Sequence, residues 1–171
     1  DVLLAAFQEE FRPDEPVRLI LNATMAASWV TTTDPRVEVR AAFLSPHEVI
    51  DYLAELDAFA LPSRGEGFGL CGLEAMATGL PTIATNWSGP AEYLDRTDSF
   101  PLDYALVETG GRRFGGTRLF GPWAEPNREH LRALLRQVYE HRTDAAEAGR
   151  RASTRIHRDW TWERPARQIV A

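Results

Sequence analysis

Apolar residues along the chain fall into short runs and one-sided spacings, separated by prolines, glycines and polar clusters. Val2, Leu3, Ala6, Phe7 and Phe11 recur at helical spacing, and Pro13 and Pro16 end that helix. Residues 17–24 (VRLILNAT) form an apolar run of strand length, which reads as a strand buried on both faces. Residues 25–36 are polar around an Asp34-Pro35 turn and read as a loop with room for one helical turn. Residues 37–43 alternate as a second strand. Ser45 and Glu48 then have the spacing of a capping box, with Pro46 at the first helical position. The pattern predicts a helix over 46–56 with Val49, Ile50, Leu53 and Leu56 inward. Residues 57–62 (DAFALP) are a third short strand. Residues 73–78 are strong helix formers, stopped by Gly79 and Pro81, and residues 82–85 (TIAT) are a fourth strand.

Beyond residue 99 the pattern loosens. Residues 103–108 and 117–120 are candidate strands, with Gly110-Gly111 and Gly115-Gly116 as turns, and the region reads as a β-excursion at the sheet's edge. Arg112 and Arg113 could face a phosphate, although a solvated turn is the plainer reading. Asn127 caps an amphipathic helix carrying Leu131, Leu134, Leu135, Val138 and Tyr139 on one face, and residues 144–158 form another. Alternating strands and helices imply βαβ crossovers and a parallel sheet, hence an α/β fold. The series is complete except for one strand expected ahead of Asp1. In such sheets ligands bind outside the carboxyl ends of the strands.

The chemistry concentrates in residues 63–81, SRGEGFGLCGLEAMATGLP. A strand, a turn with Gly65, Gly67, Gly69 and Gly72, and then a helix start would point backbone N–H groups and a helix dipole at an anion. A phosphate-bearing ligand follows as the first hypothesis. Gly67, Gly69 and Gly72 also fit G-x-G-x-x-G, with Glu92 twenty residues further on, which is the form of a dinucleotide fingerprint. Against that reading, residues 63–66 intervene between strand and first glycine, and Glu92 follows a Ser-Gly-Pro turn rather than closing a strand. Glu66 and Glu74 flank the turn at different depths, and carboxylates there could accept hydrogen bonds from sugar and ribose hydroxyls. Spacing alone favours a plainer account, with Glu74 as an acid suited to a helix start and Glu66 as a solvated loop charge.

The wider stretch closely resembles the signature of retaining family-four glycosyltransferases, P-S-x-x-E-G-F-G-x-x-x-x-E-A-x-A-x-G-x-P. It matches at Pro62, Ser63, Glu66, Gly67, Phe68, Gly69, Glu74, Ala75, Ala77, Gly79 and Pro81. It departs at Cys71, where many members carry proline, and at residues 86–90 (NWSGP), where many carry two glycines. The resemblance implies a Rossmann-like parallel sheet with helices on both faces, the C-terminal half of a GT-B architecture, as one domain over residues 1–171. It implies the donor-binding half of a retaining transferase that takes a UDP-, GDP- or ADP-linked sugar, with no obligatory cofactor or metal. Glu66 is then the catalytic carboxylate, on donor-sugar hydroxyls and the oxocarbenium-like transition state. Ser63, Gly67, Phe68, Gly69, Leu70 and Glu74 bind the donor, with diphosphate or sugar on the 67–70 backbone and ribose on Glu74. The nucleobase is expected near residues 43–45 and 62–63. An Arg and a Lys for the leaving diphosphate would lie just ahead of the first helix. The partners are an N-terminal domain of the same protein and a glycan, lipid or small-molecule acceptor. On this reading the 171 residues alone do not transfer sugar. A non-catalytic nucleotide-binding or interaction domain on the same fold is the alternative, and a dinucleotide oxidoreductase stands third.

Composition narrows the field. At 44% hydrophobic and 26% charged, the chain has the make-up of an ordinary globular domain. A net charge of −6 argues against nucleic acid and anionic membrane as partners. His47, His130, His141, His157 and Cys71 have no zinc-ligand spacing. One cysteine makes no internal disulfide and suits a reducing, cytoplasmic compartment. No apolar run reaches the ~20 residues of a membrane span, and no signal peptide is visible. The first residue is Asp rather than Met, so the true N-terminus is expected upstream.

Overall fold

The structure, a computed structural model, describes residues 2–23, 30–114 and 116–170. Residues 24–29, which include part of the expected first strand and loop, lie outside the described residues. Two parallel sheets form the frame. β1 (Leu19–Asn22) pairs with β2 (Val37–Arg40), Leu19 opposite Val37. β3 (Phe59–Leu61), β4 (Thr82–Thr85) and β5 (Phe100–Leu102) form the second, with β4 central. α1 (Val2–Glu10) leads into β1, α2 (Pro46–Ala54) joins β2 to β3, and α3 (Leu70–Ala77) joins β3 to β4. The fold is thus α/β with parallel strands joined by helices, as the alternation of patterns predicts.

Helices cover both faces. On one, Ala6 of α1 and Leu131 and Leu134 of α4 (Arg128–Glu140) pack with Ile83 and Leu102. On the other, Leu53 of α2 packs with Ala75 and Leu80, and Met76 of α3 packs with Tyr93, Ala152 and Ile156. The last two belong to α5 (Arg142–Asp159). α6 (Glu163–Val170) closes the chain. Among the described residues no helix is long and apolar enough to cross a membrane.

Local chemistry sets the helix ends. Ser45 Oγ accepts from the Glu48 amide while the Glu48 carboxylate accepts from the Ser45 amide, so the capping box is complete. Asn127 Oδ1 accepts from the His130 amide at the start of α4. α3 ends as its sequence predicts, with Gly79 at φ +88, the Gly79 amide on Met76 O and the Leu80 amide on Ala75 O.

Four expectations change. β1 is half-buried rather than buried on both faces, because only one of its edges has a partner strand. Ile50 is 58% exposed, because α2 turns Leu53 rather than Ile50 to the core. β5 was not marked by the pattern, since Pro101 interrupts its run. In the excursion, β6 (Tyr104–Glu108) pairs antiparallel with β9 (Pro122–Pro126), a strand that the pattern did not mark. Thr117–Arg118 is β8, which pairs back on β7 (Arg113–Phe114) as a small hairpin.

Candidate functional site

β3 ends at Leu61, and Pro62 and Ser63, both half-buried, carry the chain out of the sheet into the glycine turn. Gly69 is the cap residue of α3 at φ +77, a left-handed conformation that disfavours any Cβ. Its carbonyl accepts from the Gly72 and Leu73 amides and from the Tyr93 hydroxyl at 2.7 Å. A Cβ on Gly69 would lie 2.9 Å from both Pro90 and the Tyr93 hydroxyl. Gly67 differs, because a Cβ there would meet nothing within 4 Å. Gly69 is thus held by the protein's own packing, whereas space over Gly67 is open to a ligand. Between them Phe68 turns inward, 5.8 Å from the Tyr93 ring and 5.6 Å from the Trp160 ring. This wedge fixes the glycine turn. Burial pushes the Tyr93 hydroxyl pKa up, so it stays a proton donor to Gly69 O.

The segment after β4 forms the neighbouring wall. Ser88 adopts φ 59, a strained value for a non-glycine residue, and its hydroxyl donates to Glu66 O at 2.6 Å. Gly89 begins a 3-10 turn (Gly89–Glu92) and packs so tightly on the Phe68 backbone that a Cβ could not fit. Glu92 ends that turn, exposed. Thr85 Oγ1, at the carboxyl end of β4, is buried without a hydrogen-bond partner among the described residues.

The excursion docks on the same turn. The Ala124 amide donates to Arg64 O at 3.0 Å, and the Arg64 guanidinium makes two 2.6 Å bonds to Glu125. Arg64 and Arg112 both lie over the Trp123 ring, at 4.9 and 5.4 Å. Arg112 is therefore a stacked residue rather than a merely solvated turn. Trp87 packs on Tyr104 at 5.2 Å. Spacing in the sequence gave no sign of Ser88, Tyr93 or the Arg64–Glu125 pair, because each acts across 22 residues or more.

Glu66 is half-buried in the turn and Glu74 is exposed on α3. Leu70 is exposed at the first position of α3. Cys71 lies on the same first turn, and partial desolvation, then the negative charge of Glu66 and, more weakly, Glu74, pushes its thiol up. That direction opposes a nucleophilic thiolate. The expected nucleobase region is less enclosed. Phe43 is 85% exposed, and a cavity of about 190 Å³ opens beside Leu44 between Asn22, Arg40 and Tyr52. His47 is exposed.

Comparison with known proteins places this geometry. Residues 16–169 match the family model described as Family 4 Glycosyltransferase in conflict systems. The chain is 52% identical over 48 residues to a lipopolysaccharide core biosynthesis mannosyltransferase of Rhizobium meliloti (strain 1021), covering 28% of this chain and 14% of that protein. It is 32% identical over 102 residues to a D-inositol 3-phosphate glycosyltransferase of Rhodococcus jostii (strain RHA1), covering 52% of this chain and 23% of that one. The chain thus spans under a quarter of these curated relatives. Its fold resembles the crystal structure of the C-terminal domain of a glycosyl transferase group 1 family protein from Francisella tularensis. That likeness has TM-score 0.56 and 18% identity, over 75% of this chain and 56% of that one.

Proposed function

The chain belongs to the family 4 glycosyltransferases in conflict systems, and from that premise we propose that it is the donor-binding half of a retaining glycosyltransferase. The donor is a nucleoside-diphosphate sugar linked to uridine, guanosine or adenosine. One observation carries the reading: Glu66 and Glu74 flank an anion-ready turn whose outer glycine, Gly67, has nothing over it.

Backbone N–H groups of Gly67, Phe68, Gly69 and Leu70 hold the diphosphate or the sugar's edge at the positive end of α3. Glu74, on the exposed side of the helix, accepts the ribose hydroxyls. Glu66 accepts donor-sugar hydroxyls, and its charge stabilises the oxocarbenium-like transition state. Ser63 borders the nucleoside. The tie from Ser88 to Glu66 O and the wedge of Phe68 hold the turn in shape before the donor arrives. An Arg and a Lys just ahead of the first helix supply the cations for the leaving diphosphate, and the acceptor site and its proton-transfer groups belong mostly to an N-terminal domain of the same protein. The acceptor is a glycan, a lipid or a small molecule, and a cytoplasmic setting suits the single free thiol of Cys71.

The test is calorimetric titration of the protein with UDP, GDP, ADP and NAD, followed by transfer from radiolabelled donor by the full-length protein. Uptake of one nucleoside diphosphate but not NAD, together with transfer, is the expected result. Binding of a diphosphate without transfer by the full-length protein would make this a non-catalytic nucleotide-binding domain. Preference for NAD would overturn the donor reading.

A further inference from the structure

Gly72 stands in the first turn of α3 without a positive φ, where the helix would favour alanine. In a dinucleotide fingerprint the third glycine serves close packing of helix on strand. That is not its use here, because Leu61 of β3 would lie 3.6 Å from a Cβ on Gly72, an ordinary contact. The atom in the way is the Tyr93 hydroxyl, at 2.6 Å. The same hydroxyl would lie 2.9 Å from a Cβ on Gly69. Gly69 and Gly72, both buried, thus form a notch that the Tyr93 hydroxyl fills.

From that notch the hydroxyl donates to Gly69 O at 2.7 Å. The Gly69–Leu70 peptide is trans, so its N–H points opposite to that carbonyl. Drawing the carbonyl inward turns the Leu70 N–H outward, at an exposed residue whose glycine cap has no side chain to accept it. Tyr93 is itself held at both ends. It is 1% exposed, and its ring packs on Phe68 and Trp160. Arg155 of α5 donates to Tyr93 O at 2.8 Å and is paired with Asp98 at 2.6 Å. We propose that Tyr93 is a positioning residue for the donor: its hydroxyl, seated between Gly69 and Gly72, sets the direction in which the Leu70 N–H meets the diphosphate. This rests on the donor reading above and adds to it the residue that aims the anion-holding backbone. Through Arg155 and Trp160, the C-terminal end of α5 supports that aim.

Titration with UDP, GDP and ADP, and with uridine, guanosine and adenosine, tests it. The proteins are the parent, Tyr93→Phe, and Gly72→Ala combined with Tyr93→Phe. Thermal unfolding is followed on the same three and on Gly72→Ala alone. Tyr93→Phe should bind the preferred diphosphate about 10-fold more weakly and its nucleoside within about 2-fold of the parent. Gly72→Ala alone should lower the melting temperature, because its Cβ meets the hydroxyl. With the hydroxyl removed that Cβ has only ordinary contacts, so the double variant should melt no lower than Tyr93→Phe. Its diphosphate affinity should nevertheless stay as low. Recovery of affinity along with stability would make Tyr93 a packing residue only and overturn the proposal. So would parent-like diphosphate affinity in Tyr93→Phe, or an equal loss for diphosphate and nucleoside. A parent protein that takes up none of the three diphosphates would instead refute the donor reading itself, and this proposal with it.

Discussion

β4 and β1 are each four residues long and each parallel to their partners, yet they are buried very differently. Every residue of β4 is buried, and no residue of β1 is. Their sequences, TIAT and LILN, would suggest the reverse, since β1 is the more apolar. Neighbours decide it. β4 has a strand on each side and helices above and below, whereas β1 has β2 on one side and an open groove on the other. Burial, and with it rigidity, belongs to a strand's place in the sheet more than to its composition. The glycine turn grows from the rigid sheet, and the small cavity beside Leu44 lies at the end of the open one. A site between them would have one fixed wall and one adjustable wall.

The largest effect should separate the two sheets directly. Ile83→Ala deletes methyl groups from a fully buried position packed against α1 and α4, and should cost about 2–5 kcal/mol in denaturant unfolding. Ile20→Ala, at a half-buried position on the groove, should cost about 1 kcal/mol or less in a chain starting at Val2. Equal losses would end the contrast between a rigid sheet and an open one.

Next in size is ligand binding on the rigid side. Glu74→Ala should weaken a nucleoside diphosphate by roughly 1.5–3 kcal/mol, the range for hydrogen bonds to a charged group. Thermal unfolding run in parallel should show little change, since Glu74 is exposed. Unchanged affinity would remove Glu74 from the ribose site.

The two glycines of the turn sharpen the same point. Gly69→Ala forces a left-handed residue, costing about 1–2 kcal/mol, and its Cβ also meets Pro90 and Tyr93. It should therefore destabilise the domain whether or not nucleotide is present. Gly67→Ala meets no protein atom, so its stability should stay within about 0.5 kcal/mol of the parent while nucleotide affinity falls. Unaltered affinity in Gly67→Ala would show that no ligand approaches there.

The glycine turn, both helix caps and three of the four strands that sequence patterning marks before residue 86 were legible with nearly correct bounds. They rest on local signals: Ser45 with Glu48, Asn127, Gly79, and the short apolar runs. The positions of Glu66 in the turn and of Glu74 on the helix after it were legible, because local signals set both the turn and the helix. What sequence concealed is what depends on distant partners. Ile50 and Leu53 fit one helical stripe equally well, and only the position of α3 selects Leu53. Residues 122–126 end in a proline at each side and look unlike a strand, yet they pair with β6 because Arg64 and Glu125 clamp them to the turn. Ser88 carries no sequence sign of its positive φ.

The smallest predicted effect concerns acid, and it too should divide the molecule along the groove. Arg136 of α4 reaches Glu10 of α1 and Glu15 at 2.8 and 2.6 Å, and so ties the segment leading into β1 to the rigid body. Hydrogen bonding to Arg136, then to the Arg12 amide, holds Glu15 at about 2 rather than its ordinary 4.5. Asp34, just before β2, is likewise held at about 2 rather than 3.8 by Arg36, whose guanidinium also donates to Phe11 O and Arg12 O. A carboxylate whose folded value is lowered stabilises the fold fully above its unfolded value and loses that contribution as pH falls through the folded one. Both contributions should therefore be present at neutral pH and fade from about pH 4.5 down to about 2. Hydrogen exchange followed across that window should show β1 and β2 losing protection before β4 does. Glu15→Gln should flatten the part of the loss owed to Arg136, and added salt should shrink it further, since charge pairs near water are screened. Simultaneous loss of protection in β1, β2 and β4 would mean that acid unfolds the domain as one unit, and that Arg136 does not hold the open sheet to the closed one.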